Sequence, residues 1–139
     1  MGNGANEKNT DIECKTLYIR KKFEDGGKCL CDVYFEYPAF TAAKNFPDKN
    51  IRKNLEKINS FYDKFAKNAL AFAEKTAFDA AAKENSSVFL RIFFGADISN
   101  EKIAVSLILS ERKNSRVTGK KILSQIWDIK NGIIIKDIT

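Results

Sequence analysis

From Asp48 to about Glu84 the apolar positions Ile51, Leu55, Ile58, Tyr62, Phe65, Ala69 and Phe72 recur at alternating spacings of four and three. That is the period of a helix with one buried face. The segment follows a Tyr37-Pro38 punctuation and is bracketed by runs of a different period, so one long helix set between strand-like blocks is predicted to organise the fold. Asp48 stands at or beside the first turn, where a carboxylate suits the exposed N–H groups and the helix dipole. Asn85-Ser86-Ser87 marks the end. At ~1.5 Å per residue such a helix runs on the order of 55 Å, longer than a compact domain of this size is wide. Its Ala-rich second half is therefore expected to curve, bend or break.

On either side the period is two. Leu17 and Ile19 alternate with Tyr18 and Arg20 between Ile12 and Phe23. From Lys28 to Tyr37, Cys29, Cys31, Val33 and Phe35 share one face, with Asp32, Tyr34 and Glu36 on the other. Asp25-Gly26-Gly27 between these runs reads as a hairpin turn. Pro38 and Pro47 bracket a loop before the helix. Four more strand-like runs follow it: Val88 to Phe94, Lys102 to Leu109, Lys121 to Ile129 and Ile133 to Ile138, the last two joined by Lys130-Asn131-Gly132. The order β-β-α-β-β-β-β with hairpin-length links predicts an α+β fold: an antiparallel β-sheet of about six strands with the long helix packed on one face. The inward set is Val33, Phe35, Leu90, Ile92, Phe94, Ile103, Val105, Leu107 and Leu109, met by Leu55, Ile58, Tyr62 and Phe65 of the helix. Residues 1–10, polar and glycine-rich, read as a flexible N-terminal tail, and 11–139 as a single domain without internal repeat or linker.

Composition narrows the classes. The chain has 139 residues, of which 44% are hydrophobic and 30% charged, enough for one folded core without metals or disulfide staples. The net charge of +6 comes in short clusters: Arg20-Lys21-Lys22; Lys49, Arg52, Lys53 and Lys57; and Arg112, Lys113, Arg116, Lys120 and Lys121. Acids lie between them, so solvated faces explain them as well as an anionic partner does. No apolar run approaches the ~18–20 residues of a membrane span, and the N-terminus carries no apolar signal core, so the chain as given reads as soluble. Met1-Gly2 opens like a myristoylation signal, but Asn6 stands where Ser or Thr is wanted.

There is no histidine. Ser-His-Asp and Cys-His hydrolysis, histidine general-base chemistry and imidazole-ligated metals all lose their central group. The three cysteines, Cys14, Cys29 and Cys31, read as small hydrophobes: Cys29 and Cys31 are two apart in one strand, and the hairpin sets them opposite residues near Phe23 and Lys21 rather than Cys14. No phosphate-binding glycine loop is present. The sequence assigns no catalytic residue, no metal ligand and no cofactor.

A strand ending in Tyr37-Pro38-Ala39-Phe40, a helix carrying Ile58-Asn59-Ser60-Phe61-Tyr62, a strand with Ala104 to Leu107 at its core and a closing Trp127-Asp128-Ile129-Lys130-Asn131-Gly132 hairpin that runs to Lys136-Asp137-Ile138 form one recognisable set. Together, across residues 12–139, they resemble a domain-of-unknown-function family of Gram-positive extracytoplasmic envelope proteins. That family includes the extracytoplasmic domain of a lysozyme-binding anti-sigma factor and the non-catalytic N-terminal part of certain peptidoglycan deacetylases. The resemblance implies a non-catalytic binding or sensory module at the cell surface, with a cell-wall glycan or an envelope protein as partner. In that family the closing hairpin usually leads into a second C-terminal module, whereas the given sequence stops at Thr139, a departure from the family's pattern.

For such a ligand the candidate surface is the sheet face away from the helix. There Tyr34, Phe89, Arg91, Phe93 and Trp127 are expected to project together, aromatic planes beside a cation. The alternatives are that loops, a dimer contact or a second small core cover them. A nucleic-acid-binding domain, with Lys49, Arg52, Lys53 and Lys57 on phosphates, and a histidine-independent hydrolytic domain stand as alternative functions, although no helix-turn-helix, zinc-finger or RNP-type motif is present.

Overall fold

A computed structural model of the chain describes residues 11–43, 48–83, 86–114 and 116–138. The expected flexible tail (residues 1–10), Pro47 and the helix end at Glu84 and Asn85 lie outside these. Gly26 and Gly27 take positive φ (58° and 79°), the left-handed geometry of a tight hairpin turn, and fold β1 (Ile12–Asp25) back onto β2 (Lys28–Ala42). Strand β2 does not stop at Tyr37-Pro38. It runs on to Ala42 against β1, while its pairing with the next strand ends at Phe35, so Pro38 costs no third strand a hydrogen bond.

The chain then crosses the sheet as α1 (Lys49–Lys83) and returns as β3 (Val88–Ile98), parallel to β2, with Cys31 to Phe35 beside Val88 to Ile92. This one parallel pair departs from a purely antiparallel expectation. It arises because the helical crossover returns the chain to the end of the sheet from which β2 began. Strands β4 (Lys102–Lys113), β5 (Arg116–Asp128) and β6 (Ile133–Ile138) follow as an antiparallel meander, giving a six-stranded sheet in the order β1-β2-β3-β4-β5-β6. The α+β architecture of a mainly antiparallel sheet with one long helix on one face is therefore the one the alternation pattern predicts.

Asp48 Oδ1 accepts from Asn50 N (2.9 Å) and Ile51 N (3.2 Å), satisfying two of the first-turn donors, and the helix continues unbroken through its Ala-rich half. Leu55, Ile58 and Tyr62 are buried against Val33, Phe35, Ile92, Ile103, Val105 and Leu107. Past Tyr62 the buried line runs through Ala66, Ala73 and Ala77 instead of Phe65 and Phe72. Phe65 is half-buried and Phe72 is 64% exposed. The helix lies mainly over β2, and methyl side chains let its second half come down close to that strand, which turns the bulkier Phe65–Ala69–Phe72 line outward along its flank.

Polar groups fix the helix to the sheet at three levels. The Asn59 side chain accepts from Phe40 N (2.7 Å) and donates to Phe40 O (2.9 Å), engaging both polar groups of one β2 residue. Asn54 Nδ2 donates to Ile129 O and Lys130 O (both 2.9 Å) of the closing hairpin. Gly132, at φ 65°, sits so close that a Cβ there would lie 2.5 Å from Asn54 Oδ1, so position and backbone both require glycine. Beyond Asn59 along the helix, the buried Tyr62 hydroxyl donates to Gln125 Oε1 (2.8 Å) and accepts from Trp127 Nε1 (2.9 Å).

All three cysteines are free thiols. Cys31 is buried opposite Phe23, Cys29 lies opposite Glu24 across a β-bulge, and Cys14 is exposed opposite Phe40 at the far end of the hairpin. Burial, the largest cause, pushes the Cys31 thiol up to about 11, which keeps it protonated and unreactive near neutral pH. The protein is expected to melt at the same temperature with and without reductant, and a chelator is expected to leave that temperature unchanged. A clear downward shift with either reagent would contradict this account of the thiols.

Candidate functional site

Strand alternation sends Val33, Phe35, Leu90 and Ile92 toward α1 and their neighbours Asp32, Tyr34, Phe89, Arg91 and Phe93 to the opposite face. The register sets Asp32 beside Phe89 and Tyr34 beside Arg91, so two strands bring these residues into one patch. The hairpin adds β1: Arg20 stands opposite Tyr34, and Tyr18 opposite Glu36.

The aromatic rings form a row across three strands. Tyr18 and Tyr34 have centroids 6.1 Å apart, Tyr34 and Phe93 6.0 Å, both tilted at 47°. Tyr18 is 61% exposed and Phe93 43%, so the ends of the row are open. The Tyr34 hydroxyl donates to Glu36 Oε2 (2.9 Å), a bond that raises its pKa above the usual phenol value and fixes the ring's orientation.

Beneath the rings lies Asp32, only 5% exposed although it belongs to the solvent-side face. Its carboxylate is flanked by Arg91 (Nη1 to Oδ1, 3.5 Å) and Arg20 (Nη2 to Oδ2, 3.9 Å). Arg91 Nη1 also donates to Asp32 O and Leu90 O, each at 3.0 Å. A buried carboxylate between two guanidinium groups is worth little as net stability. Fixed by its two backbone bonds, the Arg91 guanidinium lies 5.5 Å from the Phe89 ring, and that of the more exposed Arg20 lies 5.9 Å from the Tyr34 ring. On the β4 side, Phe89, Arg91 and Phe93 with Ser110 and Arg112 border a shallow concavity of about 500 Å³.

Four of the five residues expected here therefore share one face, and Trp127 does not. Trp127 points to the helix side opposite Ile103, is 5% exposed, and packs edge-on against Phe61 (5.2 Å) and Tyr62 (6.1 Å). The inward set of β5 is Leu123, Gln125 and Trp127, and the polar Gln125 in its middle hides the alternation that places Trp127 in the core. Conversely, sequence reasoning passed over Tyr18, Arg20 and Asp32. Their signal was present in the Tyr18/Arg20 alternation and the Gly26-Gly27 turn, which together set the hairpin register.

Chemically, the face offers aromatic planes for stacking on sugar rings or for anchoring a protein, with guanidinium groups for anionic or hydroxyl-bearing ligands. Of its carboxylates, Glu36 accepts from Tyr34, and Asp32 lies beside the two arginines with its Oδ1 lacking a hydrogen-bond partner among the described residues.

Comparison with known proteins matches the chain to no family model and to no curated protein. Its fold is similar to the crystal structure of a member of the DUF3298 family from Bacteroides fragilis NCTC 9343, with a TM-score of 0.61 and 11% sequence identity. The likeness covers 93% of this chain and 61% of that one. At this identity the two share a fold, and that fold is one seen in a domain-of-unknown-function family. The chain spans about three fifths of that protein's length.

Proposed function

We propose that this chain is a non-catalytic binding module of the cell envelope that engages a glycan or an envelope protein through the open aromatic face of its sheet. The observation that carries the proposal is the Tyr18–Tyr34–Phe93 row, exposed at both ends and set beside Arg20 and Arg91, which flank the buried Asp32. Fixed aromatic rings give large contact area at small entropic cost. A binding rather than a catalytic role is favoured by a chain without histidine, which lacks the central group of the histidine-dependent mechanisms. The extracytoplasmic, Gram-positive envelope setting rests on the resemblance carried by Tyr37-Pro38, Asn59 and the Trp127 hairpin. Among the described residues no helix is long and apolar enough to cross a membrane.

Calorimetric titration against peptidoglycan fragments and against lysozyme tests the proposal. One of the two is expected to bind saturably, and Tyr34→Ala or Phe89→Ala to weaken that binding by about 1 kcal/mol or more while the melting curve stays cooperative. Absence of heat with both ligands, or affinity unchanged in both variants, would overturn it. Tryptophan emission is the wrong readout, because Trp127 lies in the core on the other side of the sheet.

A further inference from the structure

Strand alternation sorts the basic clusters of the sequence by face. Of Arg20-Lys21-Lys22, Lys21 turns to the helix side, while Arg20 and Lys22 stand opposite Tyr34 and Asp32 on the side away from the helix. Strand β3 adds Arg91 beside Tyr34, and β4 and β5 add Arg112 opposite Phe89 and Lys120 opposite Ser110. Two neighbouring rows of one face thus gather five cations. The carboxylates among and beside them are Asp32, buried between two arginines, and Glu36, bonded to Tyr34. Glu111, next to Arg112, is paired with Leu90 and belongs to the helix side. At the hairpin tip one charge of each sign follows, Asp25 opposite Lys28. Lys22, Arg112 and Lys120 are exposed, and among the described residues none of the three enters a salt bridge.

One of these rows has a period. From β1 to β5 it reads Arg20, Tyr34, Arg91, Ser110, Lys120, a cation on every other strand and a hydroxyl on the strands between. At ~4.8 Å between strands, successive cations stand about 10 Å apart along a line that crosses the sheet. Arg91 uses only Nη1 on the backbone and on Asp32, so its Nε and Nη2 donors face no partner among the described residues. A line on the face of a sheet does not suit an acidic peptide strand, which adds at a sheet edge. Single-stranded nucleic acid stacks its bases on successive open rings. Here the Tyr34 and Phe89 rings each have a guanidinium over them, at 5.9 and 5.5 Å, and the open rings are Tyr18 and Phe93 at the ends. A sugar chain that carries acid groups at intervals pairs those groups with the cations and needs no open ring in the middle of the line.

We propose that this face takes an extended anionic glycan laid across the strands, its acid groups at Arg20, Arg91 and Lys120, with Lys22 and Arg112 beside them. The inference rests on the aromatic face being the recognition surface and narrows its ligand to a glycan bearing acid groups. The test is calorimetric titration of the full chain with hexagalacturonate, in parallel with its neutral methyl ester and with a thymidine oligonucleotide of similar length. Hexagalacturonate is expected to bind saturably, about tenfold or more tighter than the ester, and to weaken as salt is raised. Arg112→Glu and Lys120→Glu are each expected to weaken it about tenfold with the melting temperature unchanged. Lys75→Glu, the same charge change at an exposed helix position, is expected to leave it as it is. Equal binding of acid and ester, both weakened by Tyr34→Ala, would overturn the charge inference and leave the aromatic face standing. So would silence with hexagalacturonate while peptidoglycan fragments or lysozyme still bind. Tighter binding of the oligonucleotide would overturn it in favour of nucleic acid. Acid binding indifferent to Tyr34→Ala and to both charge reversals would overturn the inference and the aromatic face together.

Discussion

Replacing Trp127 with Ala is expected to lower the free energy of unfolding by about 3–5 kcal/mol, the range for removing a large aromatic side chain from a core. The ring packs edge-on against Phe61 and Tyr62, and its Nε1 donates to the Tyr62 hydroxyl, which in turn donates to Gln125. The substitution therefore opens a cavity and removes one end of a buried hydrogen-bond chain. Phe93→Ala, at an exposed position on the other face, is expected to change stability by about 1 kcal/mol or less. Urea denaturation of the two variants measures the contrast. Similar small effects would mean that Trp127 lies outside the core and that the register of β5 is misassigned.

Leu55→Ala is expected to cost roughly 2–5 kcal/mol by cavity formation. Leu55 is 2% exposed in the first half of α1, where the helix is fastened to the sheet by Asn54 and Asn59 on either side of it. Those side-chain clamps hold the backbone in place, so the site has little freedom to collapse around the lost methyl groups, which favours the upper part of the range. Phe72→Ala on the outward flank is expected to stay within about 1 kcal/mol. If Leu55→Ala proved as mild as that control, the buried stripe assigned to the helix would be wrong.

The residues that carry the family resemblance turn out to be those that build the scaffold. Asn59 of the Ile-Asn segment grips Phe40 of the Tyr-Pro-Ala-Phe segment. Trp127 joins Tyr62, and the glycine of the closing hairpin leaves room for Asn54. Motifs of this kind specify how one helix seats on one sheet, and so they read out the fold far better than the ligand.

What was legible in the sequence follows the same division. Strand alternation and the helical period give every element, and the inward residues of β2, β3 and β4 fall on the helix side as patterned. The Phe65 and Phe72 positions escaped because an apolar stripe says which residues share a helix face, not how far the sheet extends beneath it. Trp127 escaped because Gln125, buried only by virtue of Tyr62, breaks the hydrophobic run of β5. The parallel β2–β3 pair was invisible for a different reason: it depends on where a 35-residue crossover returns the chain.

The most direct test of the central claim, that the aromatic face is the recognition surface, is amide chemical-shift mapping of the ¹⁵N-labelled chain during titration with peptidoglycan fragments and with lysozyme. Binding is expected to move the resonances of Tyr18, Arg20, Tyr34, Phe89, Arg91 and Phe93 while the Trp127 indole N–H, bonded within the core to Tyr62, stays in place. Perturbations centred on α1 or on β6 with the aromatic row silent, or none with either ligand, would contradict it.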